Sequence, residues 1–208
     1  MPLYFHSDAC QAANYLDLHV KRLGVDLMTL NGGKIYGPKQ SGALFVRYGT
    51  LLKPIIEGGG QERNLRSGTE NVAADIGLAA ALDLAQKTRH QESKRLIILR
   101  DYFISRLIKE IPNVVLNGSR SHRLPNNVHI TLEGQDNEVL LIALDQAGIM
   151  AAAGSACSAS KVEASHVLKA IGKSEQYARS SLRFSLGRNN SKSDIDRSIV
   201  TLKRLVKV

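Results

Sequence analysis

The chain begins with short apolar runs that end at polar residues or glycines. Three β-prone runs cover residues 3–6, 25–30 and 42–47, and a cluster of glycines at 58–60 follows the third. Each run is nearly continuous in apolar character, which is typical of strands in a sheet that is buried on both faces. This pattern predicts part of an α/β fold in which the first two strands end at polar side chains.

Apolar positions with helical spacing replace the strand pattern over residues 70–109. The polar segment 86–94 separates two apolar stripes within this stretch, so we place a domain boundary near residue 90. The chain is therefore predicted to contain one domain over residues 1–90 and a second over residues 91–208.

The second region predicts a smaller α+β domain. Apolar runs at 114–116 and 128–132 favour strands, and residues 138–146 carry a helical stripe. A last helix is predicted to begin after Ser191, because Asp194 three residues later completes a capping box. Its apolar face has helical spacing and consists of Ile195, Ile199, Leu202 and Leu205 or Val206.

Composition indicates a globular protein without a membrane span. The chain has 208 residues, of which 43% are hydrophobic and 5% aromatic, so it can bury a substantial core. Its apolar runs are far shorter than the ~20 residues that span a bilayer, and residues 1–13 lack a signal-peptide pattern. Two cysteines exclude a disulfide framework, so a reducing cytoplasm is the expected location.

The net charge of +9 fits an anionic ligand or an acidic partner without identifying either. The last 30 residues contain eight Lys or Arg against two Asp, but Phe184 is the only aromatic residue among them. Because nucleic-acid bases stack on aromatic side chains, this segment does not favour nucleic-acid binding. We expect neither a nucleic acid nor a membrane as a partner.

A lysine lies on a glycine-flanked turn after the second predicted strand. Lys34 follows Gly32 and Gly33, and such a turn lets a bulky ligand approach closely. From this local sequence alone, an ordinary exposed lysine is the simpler interpretation. However, Asp8 ends the first predicted strand, and the carboxyl ends of neighbouring parallel strands converge on one ligand crevice. We therefore expect Asp8 and Lys34 to meet there.

Cys157 lies in a segment made entirely of small residues, at positions 151–160. A free cysteine is usually a buried structural residue, an interpretation that suits Cys10 but not a cysteine without large neighbours. A loop of small residues can move, and a nucleophile that takes an atom from one molecule and gives it to another has to move. The sequence therefore makes Cys157 the candidate nucleophile.

Five motifs together indicate a family. They read DACQ at 8–11, GGKIYGPK at 32–39, GGGQERNLRSGT at 58–69, GSACS at 154–158 and RFSLGR at 183–188. In this order, and over nearly the whole chain, they resemble the cysteine desulfurases, a branch of the class V aminotransferases. The cysteine motif is similar to that of the long-loop type, and it disfavours a related aminotransferase or selenocysteine lyase.

The resemblance implies a fold and a cofactor. The expected fold is the type I fold of pyridoxal-phosphate-dependent transferases, an α/β class, with part of the large-domain sheet followed by the smaller C-terminal α+β domain. Pyridoxal 5'-phosphate is the implied cofactor, with Lys34 bound to it covalently and Asp8 paired with its ring nitrogen. Gln11 is implied at the ring hydroxyl, Asn31 in place of a phosphate-binding serine, and Thr69 at the phosphate of the neighbouring subunit. No metal is expected.

The same resemblance implies a reaction and partners. Arg183 is expected to bind the substrate carboxylate, which a guanidinium matches with two hydrogen bonds. Cys157 is expected to take the sulfur of L-cysteine as a persulfide, leaving L-alanine. Thr69 implies a homodimer, and sulfur transfer implies an iron-sulfur scaffold or another acceptor protein.

Two departures from the family pattern change these expectations. The usual lysine segment reads Ser-Gly-His-Lys, whereas Asn31 and Gly33 stand here in place of the serine and the histidine. The chain also begins at a strand near the middle of a typical member, so half of the large domain is expected elsewhere.

Three interpretations follow from that second departure. The first is a desulfurase completed by a separately encoded N-terminal half, and the second is a truncated product without catalysis. The third is a sulfur-relay or scaffold-binding module that keeps Cys157 without cofactor chemistry.

Overall fold

The computed structural model of the protein describes residues 2–154 and 165–206 and divides into two compact units, Met1–Glu92 and Ser93–Val208. The long helix α3 (Val72–Glu110) contributes residues to both units, and the polar segment 86–94 is helical throughout. Among the residues described, no helix combines the length and the hydropathy that crossing a membrane requires.

The first unit contains a three-stranded mixed sheet. Its strands are β1 (His6–Asp8), β2 (Leu27–Asn31) and β3 (Gly42–Val46), in the order β1-β2-β3. β1 and β2 run parallel, and β3 pairs with β2 in the antiparallel direction. The other elements before α3 are helix α1 (Val20–Leu23), a 3-10 turn (Gly32–Lys34) and the short helical turn α2 (Gln61–Asn64).

Two small apolar clusters stabilise this unit. Met28 of β2 is buried with Ala9 and Val25, and Ile35 is buried with Leu78 of α3. Burying an aliphatic side chain of this size is worth about 1.5–3 kcal/mol. The contact of Ile35 with α3 therefore anchors the segment that directly follows the lysine turn.

Two expectations for this sheet are wrong. The first strand begins at His6 and not at residue 3, and Leu3 is 97% exposed. The sheet is also not buried on both faces, because Leu44 of β3 is 46% exposed and no residue of β1 is fully buried. The physical reason is that strand limits follow backbone pairing, here of His6 with Leu27, which apolar composition does not encode.

The second unit contains a three-stranded antiparallel sheet. Its strands are β4 (Val114–Leu116), β5 (Asn127–Leu132) and β6 (Ser181–Ser185), in the order β4-β5-β6. Outside residues 155–164, its helices after α3 are α4 (Asn137–Gln146), α5 (His166–Ala170), α6 (Glu175–Arg179) and α7 (Lys192–Leu205). The sequence patterns predict β4, β5, α4 and α7 to within one residue, but they miss β6, α5 and α6.

One face of this sheet carries the core of the unit. Val128 and Ile130 of β5 and Leu182 of β6 are fully buried, and Phe184 packs edge-on against Phe103 with ring centroids 5.2 Å apart. The covering helices add further buried side chains: Leu107 of α3, Leu140 and Leu144 of α4, and Ile195, Ile199 and Leu202 of α7. Because side chains alternate along a strand, the opposite face carries the intervening polar residues of β5 and β6.

Helix α7 begins at the predicted capping box. Ser191 Oγ accepts from the backbone N–H of Asp194 at 3.4 Å, and Asp194 Oδ2 accepts from the backbone N–H of Ser191 at 2.8 Å. Such a cap contributes about 1 kcal/mol. The predicted apolar face of this helix is confirmed by the burial of Ile195, Ile199 and Leu202.

Candidate active site

Asp8 is the last residue of β1, at the carboxyl end of a parallel pair of strands. Its carboxylate accepts a hydrogen bond from the Cys10 backbone N–H at 3.0 Å, and the nearby Cys10 thiol donates to the Thr29 carbonyl at 3.8 Å. The Cys10 side chain and this backbone hydrogen bond lower the pKa of Asp8, and the positive charges of Lys34 and His6 lower it further. Asp8 is therefore an exposed anion at neutral pH.

Lys34 ends a tight 3-10 turn that starts where β2 stops. At Gly32 a Cβ atom would lie 2.0 Å from Ser41 Oγ and 2.9 Å from the carbonyl oxygen of Pro38, so only glycine fits. Ser41 Oγ in turn donates to that same carbonyl at 2.7 Å. The turn is thus held by backbone packing, and it presents the exposed side chain of Lys34 to solvent.

The structure brings Asp8 and Lys34 close enough to interact electrostatically. The charge of Lys34 acts on the Asp8 carboxylate and on the thiol of Cys10. Burial raises the pKa of Cys10 to about 11, and the neighbouring Asp8 carboxylate adds to this effect. The carboxyl ends of β1 and β2 thus bring together a carboxylate, an accessible amine and a protonated thiol.

Asn14 is a residue of this site that the sequence analysis missed. Its side-chain amide donates to the backbone carbonyl of Lys34 at 2.7 Å, although the two residues are 20 positions apart. An asparagine in a turn region has no local signal that would indicate such a contact. Its role in holding the lysine turn follows only from the fold.

The remaining predicted cofactor-binding residues also lie in the first unit. Gln11 is exposed in the turn after Asp8. Asn31 is the last residue of β2, and it makes no capping hydrogen bond to the 3-10 turn. Its side-chain oxygen lies 3.3 Å from the position that a Cβ atom on Gly33 would take. Thr69 is exposed and follows Gly68, which has a φ of 112°.

The segment before Thr69 is conformationally strained. Glu62, Arg63 and Asn64 have φ values of 48°, 58° and 61°, so three consecutive residues other than glycine are left-handed. This conformation costs roughly 1–2 kcal/mol per residue. Strain of this kind clusters at ligand-binding segments.

Arg183 is the central residue of β6, on the polar face of the second sheet. It pairs with His129 of β5 on one side and with Ala152 on the other. Two backbone hydrogen bonds of 2.7 and 3.0 Å join it to Ala152. Within the described part of the chain, the Nε atom of Arg183 is buried without a hydrogen-bond partner. A buried donor in this state is costly unless an acceptor reaches it.

Cys157 lies outside the described residues, but the residues around its segment are described. Gly154 and Ser165 lie side by side, because a Cβ atom on Gly154 would be 3.2 Å from Ser165 Cβ. Ala152, two residues before Gly154, is bonded to Arg183. The described residues on either side of the Cys157 segment, Gly154 and Ser165, are therefore neighbours in space, and Ala152 pairs with the strand of Arg183.

His129 is a second residue that the sequence analysis missed. Burial lowers the pKa of His129 to about 4, and the positive charges of Arg183 and Arg123 add to this effect. The available signal was the alternation of polar and apolar residues along β5, which places His129 on the face opposite the core.

A ring of buried hydrogen bonds lies beside His129 and Arg183 on this polar face. Tyr177 donates to Asn117 Oδ1 at 2.7 Å, Asn117 donates to Thr131 Oγ1 at 2.9 Å, and Thr131 Oγ1 lies 2.7 Å from Ser181 Oγ. Ser181 Oγ closes the ring by donating to the Tyr177 carbonyl at 2.9 Å. A satisfied network of this kind rigidifies its surroundings, so it fixes the strand positions next to Arg183.

Comparison with known families identifies the class of protein. The family model of class V aminotransferases matches residues 2–197, nearly the whole chain. The chain therefore belongs to the class V aminotransferase family. The structural neighbours are NifS-like proteins, which agrees with the expected α/β type I fold.

Curated relatives are named cysteine desulfurases. The chain is 45% identical over 204 residues to cysteine desulfurase IscS of Dictyoglomus turgidum, covering 98% of this chain and 52% of that protein. It is 44% identical over 204 residues to cysteine desulfurase IscS of Methanosarcina thermophila, covering 98% and 50%. The crystal structure of a NifS-like protein from Rickettsia africae matches with a TM-score of 0.89 and 33% identity, covering 99% of this chain and 54% of that one. The chain thus spans about half the length of the curated relatives it matches.

Proposed function

We propose that this chain carries the C-terminal half of a cysteine desulfurase site that uses pyridoxal 5'-phosphate. The observation that carries the proposal is the interaction of Asp8 with Lys34 at the carboxyl end of β1 and β2. Residues 1–90 would be the C-terminal part of the cofactor-binding domain, and residues 91–208 the small domain with the Cys157 segment. The two compact units divide close to this boundary.

The residues present in the first unit fit the proposed cofactor. When bound, pyridoxal phosphate supplies an electron-accepting ring that withdraws electrons from an amino-acid substrate. Asp8 remains an anion at neutral pH and would keep a proton on the ring nitrogen. Lys34 is exposed and would both hold the cofactor covalently and move a proton at the substrate carbon. Gln11, Asn31 and Thr69 would donate hydrogen bonds to its hydroxyl and phosphate oxygens.

The second unit would bind the substrate and receive its sulfur. Arg183 would hold the carboxylate of L-cysteine, for which its buried Nε, without a partner among the described residues, is a ready donor. Cys157 would attack the substrate sulfur, so that the bond between sulfur and carbon breaks. The products are L-alanine and a persulfide on Cys157, which together contain every atom of L-cysteine and the thiol.

We propose further partners on the same basis. Thr69 would bind the phosphate held by a neighbouring subunit, which makes a homodimer the expected assembly. The persulfide would pass to an iron-sulfur scaffold or another acceptor protein. A separate N-terminal half would supply the part of the site that the relatives carry in their other residues. The cytoplasm is the proposed location, because two cysteines without a disulfide framework suit a reducing compartment.

The most direct test is an absorbance spectrum of the purified chain with pyridoxal phosphate, recorded before and after L-cysteine is added. A new visible band that changes on addition of L-cysteine, but not of L-serine, supports the proposal. The spectrum of free pyridoxal phosphate, unchanged at saturating protein, contradicts cofactor binding by this chain alone.

A second candidate function is a sulfur-relay or scaffold-binding module without cofactor chemistry. The observation that favours it is that the second unit has its own buried apolar core. The same unit contains Arg183 and the residues that flank the Cys157 segment. Such a module would accept sulfur on Cys157 from a protein persulfide without binding pyridoxal phosphate. Persulfide transfer to the wild-type chain but not to Cys157→Ser, with no cofactor band, would distinguish it from a desulfurase.

A further inference from the structure

His129 and Arg183 are direct cross-strand partners on the polar face of the second sheet. Side chains at opposite positions of an antiparallel pair project from the same face with Cβ atoms about 4.5–5.5 Å apart. Ala152 is the next residue in this row, on the far side of Arg183. The imidazole and the guanidinium are therefore neighbours on this face of the sheet.

The charges around this pair are positive. Arg183 and Arg123 are the charged residues that act on His129 within the described part of the chain. The guanidinium of Arg123 donates to the backbone carbonyls of Ser119, Asn117 and Asn127, at 2.6, 2.5 and 3.3 Å. Among residues 2–154 and 165–206 no carboxylate offsets these charges at His129, and together with burial they keep the imidazole neutral at pH 7.

The other groups that face His129 do not change this balance. From β4, the backbone N–H of Asn117 donates to the carbonyl of His129 at 2.8 Å. From α6, the hydroxyl of Tyr177 donates to the side chain of Asn117 at 2.7 Å. Within the described part of the chain, these groups bring no negative charge to His129.

We propose that His129 is a positioning residue for Arg183 and takes up a proton from solvent when a carboxylate binds to the guanidinium. The bound anion offsets the charge that keeps the imidazole neutral, and the resulting imidazolium holds the anion in the site. This inference rests on the proposed role of Arg183 in binding the substrate carboxylate. It adds a coupled proton and a dependence on pH that the proposed function does not contain.

The direction of the pH dependence follows from linkage. A ligand whose binding takes up a proton binds more tightly as pH falls, by up to about tenfold per pH unit. The window lies below the pKa of His129 in the bound state and above its pKa of about 4 in the free state. L-Alanine is a suitable probe, because it is the proposed product and its carboxylate stays ionised throughout this window.

The experiment is an NMR titration of the full chain with L-alanine. The His129 ring signals are assigned by their loss in His129→Gln, and the Arg183 Nε–H signal by its loss in Arg183→Lys. L-Alanine should shift the Arg183 signal and raise the pKa of His129, and its affinity at pH 5 should be about threefold or more above that at pH 7. L-Alanine methyl ester, which lacks the carboxylate, should do neither.

The variants separate this inference from the proposed function. His129→Gln should still bind L-alanine, but with an affinity that no longer changes between pH 7 and 5. The matched control is His122→Gln, which replaces an exposed histidine of the same unit and should behave like wild type. An Arg183 signal that shifts while the pKa of His129 does not would overturn the role of His129 alone. If the Arg183 signal is unaffected by L-alanine, the proposed carboxylate site and this inference both fail.

Discussion

The side-chain nitrogen of Asn14 donates to the carbonyl of Lys34 at 2.7 Å, while the oxygen of the same amide is buried without a hydrogen-bond partner among the described residues. The amide therefore holds the lysine turn at the expense of one unsatisfied acceptor. An arrangement of this kind is retained where the position of the held group matters more than stability.

Replacing Asn14 should loosen the turn. Asn14→Ala removes the donor to the Lys34 carbonyl, which we expect to reduce the free energy of unfolding by about 1–3 kcal/mol. Urea unfolding followed by circular dichroism measures this change. Asn189→Ala, at an exposed position, is the control and should change stability by less than about 0.5 kcal/mol. Equal stabilities of the two variants would show that the hydrogen bond does not hold the turn.

The thiol of Cys10 should be unreactive at neutral pH. Burial raises its pKa to about 11, and the neighbouring Asp8 carboxylate adds to this effect, so little thiolate exists at pH 7. Asp8→Asn removes the carboxylate and should speed alkylation of Cys10 by iodoacetamide, measured by mass spectrometry of the peptide that contains it. Asp83→Asn, an exposed change on α3, should leave the rate unchanged. Fast alkylation of Cys10 in the wild-type chain would contradict the described environment.

His129 should make the second unit sensitive to acid. Its folded pKa of about 4 lies below the ordinary value of 6.5, so the unfolded chain takes up a proton at a higher pH than the folded chain does. Stability is therefore fully present above pH 6.5 and decreases as pH falls toward 4. The loss is about 3 kcal/mol at most, because each pKa unit corresponds to about 1.4 kcal/mol and the ring is partly exposed.

Urea unfolding at several pH values tests this sensitivity. His129→Gln should flatten the decrease in unfolding free energy between pH 6.5 and pH 4, whereas His122→Gln should retain it. Parallel curves for the two variants would mean that His129 titrates normally.

Local signals predicted the second unit well. The capping box at Ser191 and the apolar spacing of Ile195, Ile199 and Leu202 define α7, since both depend on residues within a few positions of one another. Strand β6 was missed, because its alternation is short and its pairing partner β5 lies about fifty residues earlier in the chain.

In the candidate site, too, some features were predictable from the sequence and others were not. The interaction of Asp8 with Lys34 was predictable from two parallel strands that end at polar residues. The contacts of Asn14 with Lys34 and of His129 with Arg183 were not, because each joins residues that only the fold brings together. The exposure of Leu44 also escaped prediction, since an apolar strand residue carries no sign of whether anything covers it.

Lys34 should be the lysine that pyridoxal phosphate modifies. Borohydride reduction after incubation with the cofactor should fix the adduct on Lys34, because this exposed amine interacts electrostatically with the Asp8 carboxylate. Peptide mass spectrometry locates the adduct, which should be absent in Lys34→Ala. Lys39→Ala, at another exposed lysine of the same segment, should keep it. Labelling spread evenly over several lysines, or unchanged in Lys34→Ala, would remove Lys34 from the proposed site.

The two units should differ in local stability, in a chain that spans about half the length of the curated relatives it matches. The large apolar cluster lies in the second unit, whereas Ile55 and Leu51 of the first unit are 97% and 78% exposed. Backbone hydrogen exchange should therefore be slow in β5, β6 and α7 and fast in β1 and β3, since few buried contacts oppose local opening there. Exchange at equal rates in both sheets would show that the first unit is as stable as the second.

The isolated chain should have little cysteine desulfurase activity. If the rest of a relative supplies two or three charge-assisted hydrogen bonds to the cofactor, each worth roughly 1.5–3 kcal/mol, their absence weakens binding by several orders of magnitude. The isolated chain should then form little L-alanine from L-cysteine, although it carries Asp8, Lys34, Arg183 and Cys157. Adding a separately expressed N-terminal half should restore L-alanine formation, and it should slow hydrogen exchange in β1 and β3 at the same time. Lys34→Ala in the same mixture should slow exchange equally but form no L-alanine, which separates assembly of the halves from catalysis. Rapid L-alanine formation by the 208-residue chain alone would refute this argument, because the residues on this chain would then be sufficient for a complete site.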